Sequence, residues 1–165
     1  MVIHIRALID TEEDIFRDIE IQDSATFEEL HYAILDSFEW EPNQMASFYK
    51  SNEDWDKGEE IPLMDIAEEF GPTKKKVMSE VTLAEMMKEP GQKMLYIFDF
   101  MLMWCFYIDI ISIKEEKEGV AYPQLTMAVG DSISQYEKEE VNFSGQDKNE
   151  DEEDEESNFD DLISY

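Results

Sequence analysis

Met94-Leu95-Tyr96-Ile97-Phe98-Asp99-Phe100-Met101-Leu102-Met103-Trp104-Cys105-Phe106-Tyr107-Ile108-Asp109-Ile110-Ile111-Ser112-Ile113 is an almost unbroken apolar run. A run of this length can cross a bilayer as one helix or form two buried strands. Composition decides for strands. Aromatic and β-branched residues dominate, and these favour a pleated surface. Asp99 and Asp109 lie inside the run, and each would cost roughly 2.5 to 3.5 kcal/mol at the centre of a membrane helix. No Lys/Arg cluster flanks it: Lys93 precedes it, and Lys114 is followed at once by Glu115 and Glu116. The expected structure is a hairpin broken near Met101 and Leu102, with a turn that lacks the usual Gly or Asn.

Working outward, Ile3, Ile5, Ala7 and Ile9 share one face of a half-buried strand, with His4 and Arg6 on the other. A polar turn over Asp10 to Asp14 leads to a second strand, where Ile15, Arg17, Ile19 and Ile21 alternate with Phe16, Asp18 and Glu20. Thr26 and Glu29 have capping-box spacing, and Phe27, Leu30, Ile34 and Phe38 then fall on one helical face. That helix should stop before Pro42. Met45 to Lys50 reads as a third strand and residues 51 to 60 as a polar loop. A short helix is expected from Met64 to Phe70, stopping at Gly71-Pro72. Thr82 and Glu85 repeat the capping-box spacing ahead of Leu83, Met86 and Met87, and Pro90-Gly91 ends that helix. Residues 114 to 136 read as loop, with one further strand around Gln124 to Val129.

The length of 165 residues suits one domain. Its net charge of −29 is extreme. Ser144 to Tyr165 contribute about −9 of that total, which leaves about −20 on the rest. Such a field repels phosphate backbones, so direct nucleic-acid binding is not expected. A basic partner, a divalent cation or simple solubility suits it better. After about residue 138 the acidic sequence buries too little apolar area to order itself, so disorder is expected there. Its end, with Phe159, Leu162 and Ile163, reads either as an inert solubilising tail or as a short apolar tip that docks on a basic, grooved partner. No signal peptide is evident, and a cytoplasmic location with no membrane association is the expectation.

Chemistry-bearing motifs are sparse. Cys105 is the one cysteine, which excludes an internal disulfide framework, and it suits a small core residue. Asn52, Asp54 and Asp56 imitate the start of a calcium loop. Lys57 stands where glycine is needed, however, and Leu63 where a bidentate glutamate is needed. A polar loop with Trp55 tucked against the body is expected instead. His4 and His31 lack metal-ligand spacing. No glycine-rich phosphate loop or nucleophile elbow is present, and neither a metal nor a cofactor is expected. Lys74-Lys75-Lys76, the one basic run, suits a solvated loop that offsets neighbouring acids.

Several motifs line up in order. Ile15-Phe16-Arg17 resembles an I-W-R element, and Thr26 to Ile34 a T-L-x-x-L-H-x-x-I helix. Trp40, Met45 and Phe48 resemble W-x-x-x-H-L-x-x-F. Tyr96-Ile97-Phe98-Asp99-Phe100 with Trp104 and Ile108 resembles Y-x-Y-D-F-G-D-x-W-x-H-x-I. Tyr122-Pro123 resembles a final Y-P element. Over about residues 2 to 125 the chain is similar to the plasmid pRi open-reading-frame-three-like family, also labelled insertion-element passenger TnpR-like. It departs from the family at three places: Gln44 replaces a histidine, Met101-Leu102 replaces Gly-Asp, and Phe106 replaces a second histidine.

The resemblance implies an α+β domain over residues 1–138: an antiparallel sheet of about five strands with two to three helices on one face. A disordered acidic tail would follow over 139–165. It implies no established chemistry, and no recombinase serine with its arginines is present. Two functions remain. One is a non-enzymatic interaction domain that binds a basic protein through its acidic surface and tail. The other is an enzyme or small-ligand-binding protein with a site near Asp99, Trp104 and His31. The first is favoured, because the residues lost are the polar ones.

Overall fold

A computed structural model describes residues 1–65 and 75–138. The chain divides by its contacts into Met1–Ser134 and Gln135–Tyr165, and the fold below is that of the first unit. Its strands are β1 (Val2–Ile9), β2 (Phe16–Gln22), β3 (Ala46–Lys50), β4 (Glu60–Pro62), β5 (Lys93–Phe98), β6 (Trp104–Lys114) and β7 (Gln124–Val129). Its α-helices are α1 (Phe27–Ser37) and α2 (Leu83–Met86), with a 3₁₀ turn at Met78–Glu80.

The apolar run is a hairpin of β5 and β6, in which Tyr96 faces Phe106 and Phe98 faces Trp104. Among the described residues no helix is long and apolar enough to cross a membrane. The strands form one antiparallel sheet in the order β4-β3-β5-β6-β1-β2-β7. The fold is therefore α+β, mostly antiparallel sheet with few helices. Among the described residues it has seven strands where about five were expected. β4 is only Glu60-Ile61-Pro62, too short to show a period; pairing with β3 fixes it.

The missing turn chemistry is supplied by Asp99. Its φ is 71°, in the left-handed region that short polar side chains tolerate. Its Oδ1 accepts hydrogen bonds from the backbone N–H groups of Met101 (3.0 Å) and Leu102 (3.1 Å). An aspartate that organises its own turn in this way replaces the glycine.

α1 begins where the capping-box spacing puts it, with Thr26 Oγ1 accepting from Glu29 N at 3.2 Å. At α2 the other half of the box is made, since the Glu85 carboxylate accepts from Thr82 N at 3.0 Å. The two helix starts are tied by a bridge between Thr26 and Thr82. Of the helix expected over 64–70, Met64 and Asp65 are not helical and the remainder lies outside the described residues. The apolar face of α1 covers one face of the sheet: the Phe27 ring meets Phe48 of β3 at 5.1 Å, and His31 meets Tyr96 of β5. Contacts among Phe48, Tyr96, Phe106, Phe38, Trp40 and Trp104 continue this aromatic layer along the sheet. Rings of this size carry most of the burial in such a core.

Candidate functional site

The sequence singled out Asp99, Trp104 and His31, and all three lie at or near β5 and β6. Asp99 is buried in the turn, with Oδ1 committed to two backbone donors. Trp104 is buried on the core face, with its ring 5.0 Å from that of Trp40. His31 is buried in α1, where Nδ1 lies 2.6 Å from the Tyr96 hydroxyl and the imidazole also faces Phe98. Burial lowers the His31 pKa to about 4 and pushes the Tyr96 hydroxyl well above its ordinary value. The pair is therefore neutral at physiological pH. It satisfies two polar groups inside the aromatic layer.

The motif positions prove to be partners in space. His31 bonds Tyr96, and Trp40 packs on both Phe98 and Trp104. Arg17 lies over the Phe38 ring, with its guanidinium carbon 4.6 Å from the centroid, and donates from Nε to the Ser37 carbonyl near the end of α1. The recurring residues thus join α1 to the sheet. The departures gather at one end. Gln44 precedes Met45, whose carbonyl accepts from Asp99 N at 2.8 Å. Met101 and Leu102 form the turn beside it, with Met101 87% exposed and Leu102 packed on the core. Phe106 is fully buried against Phe38, Trp40 and Tyr96. Where the resemblance implies histidines and an aspartate, this chain has an exposed amide, two apolar turn residues and a core phenyl ring.

The opposite face of the sheet holds a second constellation. Register sets Asp18 of β2 against Arg6 of β1, Arg6 against Asp109 of β6, and Asp109 against Lys93 of β5. The result is a row of alternating charge across four strands. Arg6 is bidentate to Asp18, with Nε to Oδ1 at 2.8 Å and Nη2 to Oδ2 at 3.0 Å. His4 Nε2 lies 2.9 Å from the same Oδ2, and Lys93 Nζ lies 2.5 Å from Asp109 Oδ1. Burial pushes the Asp18 pKa up, but hydrogen bonds from Arg6 and His4 outweigh it and hold the carboxylate below its ordinary value. Bonding to Asp18 raises the Arg6 pKa, and bonding to Asp109 raises that of Lys93. Trp55 packs beside the row, on Tyr107 at 4.9 Å and under Lys93 at 5.2 Å. The sequence marked His4, Arg6, Asp18 and Asp109 as separate outward or intruding polar residues. Only register joins them.

The loop that imitates a calcium site is an Asx-type turn. Asn52 Oδ1 accepts from Asp54 N and Asp56 N at 2.9 and 3.1 Å, and Asn52 Nδ2 donates to Asp56 Oδ2 at 3.1 Å. Among the described residues no group of three or more His, Cys, Asp or Glu has the geometry to hold a metal ion. Phe159, Leu162 and Ile163 lie outside the described residues. A cleft of about 170 Å³ runs between α1 and β7, lined by Ile19, Ala33, Asp36, Ser37, Pro123, Gln124 and Leu125.

A family model described as plasmid pRiA4b ORF-3-like protein matches residues 1–157. The match continues past residue 138, where the sequence suggested a boundary, and includes most of the acidic stretch. A crystal structure of a protein of unknown function from Methanosarcina mazei Go1 is similar in fold, with a TM-score of 0.67 and 24% identity. The similarity covers 81% of this chain and 72% of that one. No curated protein matches.

Proposed function

The chain belongs to the plasmid pRiA4b ORF-3-like family, and from that premise we propose that it is a non-enzymatic interaction domain that binds a basic protein through its acidic surface and tail. One observation carries the reading. The end of the sheet where the family pattern implies histidines and an aspartate is occupied here by Gln44, Met101, Leu102 and Phe106, whereas the chain as a whole holds 42 acids against 13 Lys and Arg. Polar chemistry is lost at the one place and charge is concentrated overall. A field of this size raises the encounter rate with a basic surface and repels acidic ones.

The alternative, an enzyme or small-ligand site near Asp99, Trp104 and His31, has weaker support. His31 is neutral and buried, Trp104 is buried, and Asp99 holds a turn. In the favoured reading Phe159, Leu162 and Ile163 act as a docking tip, and the acids before them steer the approach.

Calorimetric titration of the full chain with octa-arginine, repeated from low to high salt, tests the reading. Binding that weakens as salt rises is the expected result, because exposed charges are screened beyond about 10 Å at 0.1 M salt. Failure to bind at low salt defeats it. A chain lacking residues 144–165, compared in the same titration, separates the contribution of the tail from that of the body.

A further inference from the structure

The two edges of the sheet are unlike. β4 is three residues long, contains Glu60, whose Oε1 lies 2.7 Å from Lys75 Nζ, and ends in Pro62. Shortness, charge and proline are the usual devices that stop an edge from pairing with another chain. β7 has none of these three within its span, although a bulge at Thr126 interrupts its pairing with β2. It is Gln124-Leu125-Thr126-Met127-Ala128-Val129, without a charge in a chain that is 33% charged. Among the described residues it is hydrogen-bonded on one side only, to β2. Leu125 is 49% and Met127 47% exposed. They point to opposite faces: Leu125 pairs with Ile19 on the helix side, and Met127 pairs with Asp18 on the other.

The surroundings of β7 are acidic. Gln124 Nε2 donates to Glu20 at the start of the strand. Asp36 lines the cleft beside Leu125. Asp131 follows its far end, and both Asp131 and Glu39 act on the nearby Arg17 guanidinium. An apolar edge with acids beside it and at its ends complements an extended segment with apolar residues in the middle and Lys or Arg at both ends.

We infer that β7 is the docking edge for such a segment of a basic partner protein, which adds to the sheet as an eighth strand. Main-chain hydrogen bonds would supply affinity, and alternate side chains would supply selectivity. One apolar side chain of the segment enters the cleft beside Leu125, and its neighbour covers Met127. The inference rests on the interaction-domain reading and names the surface and partner class for it.

The probe is a synthetic peptide, Lys-Lys-Val-Thr-Val-Thr-Val-Lys-Lys, titrated against the full chain. Two further peptides carry backbone N-methyl groups, one on the valines and one on the threonines. Strand addition uses the N–H groups of alternate residues, so one methylated peptide should bind about tenfold more weakly and the other almost unchanged. Met127→Lys and Leu125→Lys should each weaken the parent peptide by about tenfold at an unaltered melting temperature. Amide shifts confined to β7 and the cleft would support the edge directly. Equal binding of all three peptides, with both variants unaffected and salt dependence kept, overturns the edge and leaves the interaction-domain reading standing. No binding of the parent peptide or of octa-arginine defeats both. A dimer of the free chain that Met127→Lys disperses would give the edge to a second copy and overturn the inference.

Discussion

His31 Nδ1 and the Tyr96 hydroxyl lie 2.6 Å apart inside the aromatic layer between α1 and β5. Burial of the imidazole there makes stability depend on pH in a defined direction. Burial lowers the His31 pKa from 6.5 to about 4 in the folded chain. Between those values the unfolded chain binds the proton and the folded chain does not, so stability falls as pH falls. The loss begins near pH 6.5 and is complete near pH 4, with a size of about 3 kcal/mol. His31→Gln, which keeps a polar partner for Tyr96, should flatten this part of the profile. Chemical denaturation from pH 7.5 to 4.5 reads the effect, and a profile equally steep in the variant would refute it.

Asp99 supports the hairpin turn through its side chain and through its positive φ. Asp99→Asn should be almost neutral, because an amide oxygen accepts the same two bonds and asparagine tolerates the same backbone. Asp99→Ala loses both bonds and places a Cβ-bearing residue without a compensating contact at φ 71°, a loss of about 1 to 3 kcal/mol. Thermal denaturation of the two variants checks the ordering. An asparagine variant as damaged as the alanine one would point to a role for the negative charge beyond the turn.

Asp18 is almost fully buried, whereas the Arg6 side chain is 38% exposed. Arg6→Met therefore strands a buried carboxylate that keeps only His4 as a side-chain partner. The resulting loss is about 2 to 3 kcal/mol, below the range for a wholly buried pair because water reaches Arg6. The depressed Asp18 pKa fixes the pH dependence. The stabilisation is present above the unfolded value near 4 and is lost as pH falls through the folded value. The gap between wild type and Asp18→Asn should accordingly close in acid. Urea titrations at pH 7 and pH 3 would show whether it does.

Local rules made much of this legible. The alternation of Ile3, Ile5, Ala7 and Ile9 announces β1, Thr26 announces α1, and Gln124 to Val129 is the observed span of β7. In sequence Asp99 stands out only as a polar residue in an apolar run. Its fitness for a left-handed turn position was the signal that locates the turn. β4 gives no signal, because three residues cannot show a period. The charge row is equally silent: Arg6, Asp18, Lys93 and Asp109 are scattered along the chain and meet only through strand order and register. His31 shows the same limit. Its position beside the apolar face of α1 was legible, but its hydroxyl partner lies 65 residues away.

Arg17 closes the fold at the end of α1. Nε donates to the Ser37 carbonyl at 2.9 Å, and Nη1 to the Phe16 and Val129 carbonyls at 2.9 and 3.0 Å. The guanidinium also lies over Phe38 and is 5% exposed. Burial lowers its pKa, while Asp131 and Glu39 act in the opposite direction. One planar fork thus joins α1, β2 and β7. A lysine carries its charge on a single nitrogen and cannot reproduce the fork or the stacking. Arg17→Lys should therefore destabilise by about 1.5 to 3 kcal/mol despite its unchanged charge. Its local signature is faster amide exchange in β7 and in the last turn of α1, with β5 and β6 protected in proportion to global stability alone. Denaturant titration gives the first quantity and hydrogen exchange the second. Wild-type stability in the lysine variant would mean that charge, and not the shape of the guanidinium, holds these three elements together.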